Sequence, residues 1–223
     1  DAKINIGSSL TLDMTYNTDF AQAEADEQQI NLDRFSLYFP EKRAFFLENA
    51  GLFSIGENTR RGSELSMFFS RRIGIGDDGQ QIPIMAGGRL TGTFSNMRIG
   101  LLSMSTKSEE FSIFRVKKEM PNRTFFGAMA TNMLNLNSDG YSNQVYALDG
   151  QLGIGELGQV DGFIATSSTP DLDKDKAYSY RLSAARNGKE IQTVISYTEL
   201  GEAFNPEMGF LKRTGGDRKW SGR

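Results

Sequence analysis

Carboxylates and guanidinium groups carry most of the chemical potential of this chain, because His and Cys are both absent from its 223 residues. Without His, the usual general base and the commonest metal ligand are missing. Without Cys there is no disulfide framework, zinc–thiolate site or thiol nucleophile. Carboxylate-only hydrolysis and Ser–Lys chemistry survive these exclusions. The adjacent acids Glu109–Glu110 and Asp77–Asp78 are one place to look, but glycosidase-like work needs two carboxyl groups about 5–10 Å apart across a cleft, and adjacency in a loop does not supply that. Asp171, Asp173 and Asp175 have the alternating spacing of the first half of a calcium loop, yet the Gly after the third ligand and the terminal bidentate Glu are missing. The glycines at Gly74, Gly76, Gly87 and Gly88 precede no helix that could receive a phosphate. No catalytic, cofactor or metal residue is assigned.

The densest charged group is Glu41, Lys42, Arg43, Glu48, Arg71 and Arg72. Facing an interior, these residues could hold a plug or line a polar passage; as an ordinary structural network, they would pair with one another. Phe45, Phe46, Phe53, Phe68 and Phe69 lie among them and read as packing residues.

What must position these groups is a set of long amphipathic strands. Ile4, Ile6, Leu10, Leu12, Met14 and Tyr16 share one parity, while Lys3, Asn5, Ser9, Thr11, Asp13 and Thr15 share the other, which is a β period over an unusual length. The pattern returns over 144–154, 177–186 and 190–198, and more weakly over 64–73, 84–94, 97–105, 111–119, 123–131 and 159–167. Ordinary strands run to about 5–6 residues and tilted membrane-spanning ones to about 9–11. Tight connections at 95–96, 120–122, 155–158 and 187–189 alternate with roomier ones at 74–83, 106–110, 132–143 and 167–176, as an up-and-down meander predicts. A descending strand is expected at 30–39, and 21–29 forms at most a short acidic turn. Residues 40–61 are the least strand-like and are expected at the periplasmic end or inside the lumen.

Composition agrees with a barrel and excludes other classes. Hydrophobic residues make up 38% of the chain, with no apolar run approaching the roughly 18 residues of a spanning helix. Alternating strands average to near-neutral hydropathy even when they cross a bilayer. The net charge of -3 and the scattered basic residues leave no nucleic-acid footprint. The start at Asp1 and the charged stretch 214–223 read as the ends of a processed or excised segment.

Several stretches carry a family resemblance: 17–26 (NTDFAQAEAD), 31–35 (NLDRF), 39–48 (FPEKRAFFLE), 68–74 (FFSRRIG), 86–92 (AGGRLTG) and 204–213 (FNPEMGFLKR). Together they resemble an uncharacterised outer-membrane barrel family of Bacteroidota-type bacteria. In that family the barrel, a domain of unknown function, usually follows a periplasmic domain similar to carbohydrate-binding module family nine. Ala44 stands where the family is expected to have Pro. The resemblance implies outer-membrane localisation, and a carbohydrate role only through the N-terminal domain that this chain lacks.

The expectation is therefore an all-β antiparallel up-and-down meander over residues 1–223, a whole or partial transmembrane outer-membrane barrel of about ten to twelve strands. Its role is structural or passive transport, its partners are outer-membrane lipid and other barrel or envelope proteins, and it has no cofactor. Because an outward charge at the bilayer midplane costs about 2–4 kcal/mol, Arg89, Arg98, Arg115, Asp149 and Arg181 should face the lumen. Two alternatives stand beside it: a soluble β-sandwich carbohydrate-binding module, with shorter strands and no loop alternation, and a membrane-associated hydrolase using carboxylates.

Overall fold

The computed structural model describes residues 1–18, 38, 40–59, 62–74, 82–138 and 140–223. Strands alternate apolar and polar side chains, and eleven of them pair in a single antiparallel sheet ordered β1-β2-β5-β6-β7-β8-β9-β10-β11-β12-β14. These are β1 (Ala2–Ile6), β2 (Leu10–Thr18), β5 (Ile84–Phe94), β6 (Met97–Thr106), β7 (Glu109–Met120), β8 (Thr124–Asn135), β9 (Ser142–Ile154), β10 (Gly158–Ser168), β11 (Tyr178–Asn187), β12 (Gln192–Leu200) and β14 (Asp217–Gly222). A second, three-stranded sheet joins β3 (Gly56–Thr59), β4 (Gly62–Ser66) and β13 (Phe210–Leu211) in the order β13-β4-β3. The one α-helix, α1 (Ala44–Leu47), and short 3-10 turns complete the described elements.

Register keeps the two faces of the large sheet apart. One rung runs Ile4–Leu12–Leu90–Leu101–Phe114–Ala130–Tyr146 across seven strands. The adjoining rung runs Asp13–Arg89–Leu102–Ile113–Thr131–Val145–Ser167. Members of the second rung are buried, whereas Ile4, Leu101, Phe114 and Tyr146 of the first are exposed. Since the side-chain period is two, a one-residue slip would exchange the faces, so the pattern itself fixes the register.

The buried face is covered by residues 43–59, 62–73 and 201–211. Phe46, Leu52, Phe53, Ile55, Leu65, Met67, Ile73, Phe204, Met208 and Phe210 form one core with Leu102, Met104, Phe111, Ile113, Met129 and Val145 of the sheet. Close approach is built in at Gly100, where a Cβ would lie 2.7 Å from the Phe53 ring and 2.8 Å from Leu52. We call this covering body the plug.

Several expectations need correction. The opening strand is two strands, turned at Gly7–Ser9 with Gly7 at φ 65°; Ile6 faces Leu10, so the hairpin preserves parity and the alternation could not betray it. Residues 64–73 are not one strand, because after β4 the chain enters the core at Met67 and turns through a 3-10 segment at Ser70–Arg72. The 106–110 connection is tight, only Lys107 and Ser108 lying outside strands, with Thr106 Oγ1 accepting from the Glu109 N–H at 3.0 Å. The sheet does not close on itself: among the described residues β1 and β14 are its two ends. The expected strand at 30–39 and the turn at 21–29 lie outside the described residues, save Tyr38.

Candidate functional site

The candidate site is the polar interior between plug and sheet, where three arginines reach from one body to the other or brace the plug. Arg89 extends from β5 and donates to the Phe45 and Glu48 carbonyls of the plug, to Asp13 Oδ2 at 2.6 Å and to Glu48 Oε2 at 3.0 Å. Its guanidinium also lies over the Phe45 ring at 5.0 Å. Lys3 completes this cluster with a 2.5 Å contact to Glu48 Oε1.

Arg115 on β7 donates from Nε to the Leu52 carbonyl at 3.0 Å and grips Asp149 of β9 with both terminal nitrogens, at 2.6 and 2.8 Å. The fork passes over β8 at Gly127, where a Cβ would sit 2.5 Å from one Arg115 nitrogen and 2.6 Å from Asp149 Oδ1. Two parallel charge-assisted bonds fix both partners.

Arg43 braces the plug internally. It donates to Glu41 Oε1 and Oε2 at 2.9 and 2.7 Å and to the Ser70 and Ile73 carbonyls, both at 2.7 Å, and stacks 4.2 Å above the Phe46 ring. Burial pushes the Glu41 carboxyl up, but the hydrogen bonds and charge of Arg43, with the Ser70 hydroxyl, outweigh it and hold it below the ordinary value. Arg71 donates to the Pro40 carbonyl at 3.3 Å and Arg72 to that of Gly209 at 3.4 Å. Within the charged group, Glu41, Arg43 and Ser70 bond to one another, and Glu48 bonds to Arg89. Lys42 is exposed, its amide donating to Glu41 at 3.0 Å.

Arg89, Arg98, Arg115, Asp149 and Arg181 all occupy the inward parity. Arg98 sits near the tight-turn rim, 3.4 Å from Glu119, and Arg181 pairs with Asp161 at 2.8 Å. Sequence reasoning missed Asp13, Lys3, Asp161 and Glu64; parity puts Asp13 on the inward face, but only the pairing of β2 with β5 sets it opposite Arg89. Glu64 meets Lys212 and Lys219 at 3.1 and 3.2 Å in a cleft lined also by Thr198, Leu200 and Leu211. Burial raises the Glu64 carboxyl, and the two lysines more than reverse it.

The second plug segment is held by side-chain amides. Asn143 donates to Thr169 Oγ1 at 2.7 Å and to the Asn205 carbonyl at 2.8 Å, and its own oxygen accepts from the Glu207 N–H at 3.2 Å. Tyr141 donates to Glu207 at 2.5 Å, which, with burial, pushes its hydroxyl up to about 12. Asp173 accepts from the Asp175 N–H at 3.0 Å in a 3-10 turn. No group of three or more Asp or Glu residues placed to hold a metal occurs among the described residues.

Residues 1–86 match the family model of a domain of unknown function, DUF5916. That span takes in β1, β2, the first plug segment and the start of β5, and it includes the 17–26, 31–35, 39–48 and 68–74 stretches that carry the resemblance. No curated protein and no solved structure matches the chain.

Proposed function

We propose that this chain forms wall and plug of an outer-membrane β-barrel with a structural or passive-transport role. The observation that carries the reading is the sorting of charge between the faces of the sheet. Outward positions hold Ile4, Leu101, Phe114, Phe126, Leu148, Ile164, Leu182 and Ile195, all exposed. Among the described residues, outward charges on the sheet are Glu110, Lys118, Arg186, Glu199 and Arg218, each within three residues of a strand end. A protein whose apolar side chains face outward and whose mid-strand charges face inward suits lipid outside and water or protein inside.

Dimensions and aromatics support the same reading. The outward stretch Tyr146–Ile154 of β9 spans roughly 27 Å at about 3.4 Å per residue, comparable with an apolar band about 25 Å tall. Tyr178, Tyr180, Tyr197 and Trp220 make a continuous ribbon across β11, β12 and β14, with neighbouring ring centroids 4.7–6.2 Å apart. Their place near the end with the longer loops suits an interfacial girdle. The outward carboxylate Glu199 is enclosed there by the hydroxyls of Tyr178, Tyr180 and Tyr197, at 3.1, 2.7 and 2.5 Å, and by Arg218 at 3.2 Å.

The plug narrows any passage, and the polar cleft around Glu64, Lys212 and Lys219 is where a small solute would meet charge. Expression in a Gram-negative host tests the reading. The chain should fractionate with outer-membrane detergent extracts and change gel mobility on heating; a monodisperse product soluble without detergent would refute it.

A further inference from the structure

The aromatic ribbon at the longer-loop end is layered along its strands in the order of a lipid headgroup region. Its upper outward rung runs Ile164–Tyr180–Glu199–Arg218 across β10, β11, β12 and β14, and the next runs Gly162–Leu182–Tyr197–Trp220. A third, Val160–Ala184–Ile195–Gly222, carries no charge. The two-residue step between rungs is roughly 7 Å at about 3.4 Å per residue. That matches the roughly 5–8 Å that headgroups add on each side of the hydrocarbon core. Charge, then aromatic rings, then aliphatic side chains follow one another away from the loops.

Within the charged rung the two ions are not equivalent. Glu199 is 7% exposed, and four donors crowd it, Tyr178 and Arg218 at Oε1 and Tyr180 and Tyr197 at Oε2. An ionised carboxylate offers about four lone-pair sites, so none is left for a ligand cation. Arg218 is the opposite case. Its side chain is 74% exposed and reaches Glu199 through Nη2 alone, at 3.2 Å; its other N–H groups have no partner among the described residues. Of the outward charges on the sheet it is the one cation at this end, since Lys118 and Arg186 lie near the tight turns. Lys176, in the neighbouring loop, is paired with Glu202 at 2.7 Å. The patch therefore presents a guanidinium, tethered by a buried carboxylate, above the packed rings of Tyr197 and Trp220, whose centroids are 4.7 Å apart.

We infer that Arg218, with Tyr197 and Trp220 below it, is a binding site for the headgroup of an anionic phospholipid. The guanidinium donates to the phosphate oxygens, which its planar fork of N–H groups suits. The rings lie against the glycerol and the upper part of the acyl chains, the level that Tyr and Trp favour in a bilayer. The inference rests on the outer-membrane reading, which puts lipid against this face.

Trp220, the single tryptophan, stands two residues from Arg218 and reports which lipids surround the site. The full chain is reconstituted into vesicles of digalactosyl diacylglycerol, a lipid without phosphate, that contain a small mole fraction of lipid with brominated acyl chains. The brominated lipid is phosphatidylglycerol in one series and digalactosyl diacylglycerol in the other. Phosphatidylglycerol should occupy the site about fivefold more readily, the increment that one arginine gives near a membrane surface, and so quench Trp220 more strongly at equal mole fraction. Arg218→Gln should bring the two series together. Lys176→Gln, which removes a cation from the neighbouring loop, should leave the preference intact. Equal quenching by the two lipids in the parent protein overturns the inference, as does a preference that survives Arg218→Gln or one that Lys176→Gln abolishes. Failure of the outer-membrane reading looks different, because neither brominated lipid would then quench Trp220.

Discussion

At the level of single residues, the guanidinium groups of Arg43, Arg89 and Arg115 are buried and depend on protein partners. Arg115 and Asp149 are almost wholly buried, with side-chain exposures of 2% and 11%, so removing one charge strands the other. Arg115→Ala is expected to destabilise the folded protein by about 3–5 kcal/mol, measured by denaturant titration in detergent. Arg115→Met with Asp149→Leu should recover much of that loss, because a buried pair replaced by apolar groups of similar volume is often neutral or better. Gly127→Ala leaves both charges in place yet drives a methyl group into their fork, with an expected cost of about 1–3 kcal/mol. If Gly127→Ala and Arg115→Met/Asp149→Leu were combined, the cost of the methyl should fall, since the groups it strikes are gone.

Among the elements, the plug is the one whose stability should follow pH. The Glu41 carboxyl lies below its ordinary value because of Arg43 and Ser70. Its contribution is therefore complete above about pH 4.3, the unfolded value, and is lost as pH falls through the lowered one. Amide exchange in α1 and around Ser70–Ile73 should accelerate below pH 4 while that of β7–β9 holds, and Glu41→Gln should flatten the response. Tyr141 works in the other direction: raised to about 12, its bond to Glu207 is intact below about pH 10 and weakens as pH climbs toward 12. Apart from β14, the strands of the large sheet were legible in the sequence through their period-two alternation, and β5 agrees with its expected bounds, Ile84 to Phe94. The plug was legible only by exclusion, since Phe45, Phe46 and Phe53 follow no strand period. Its second half could not be read at all: β13 is two residues long and pairs with β4 far away in sequence, a contact that local pattern does not encode. β14 was missed for another reason, as Asp217–Gly222 alternates charge with charge and offers one aromatic, Trp220, to mark its outer face. Of the site, the inward parity of Arg89, Arg115, Asp149 and Arg181 followed from keeping charge off the apolar face. Their partners depended on which strands became neighbours.

For the whole molecule, the question is what touches the outward face. Leu148 is 60% exposed in the middle of β9. Leu148→Arg should cost about 2–4 kcal/mol if that face meets the bilayer midplane, and lie within about 0.5 kcal/mol of neutral if it meets water. Comparing its denaturant midpoint with that of the parent in lipid vesicles separates the two. A more direct reporter already exists in the chain: Trp220 is its single tryptophan, outward on β14 and 75% exposed. The decisive measurement is Trp220 fluorescence after reconstitution into vesicles containing brominated acyl chains. The account predicts blue-shifted emission, strong quenching by the bromines and little quenching by aqueous acrylamide. Red-shifted emission that acrylamide quenches and brominated lipid leaves untouched would contradict it.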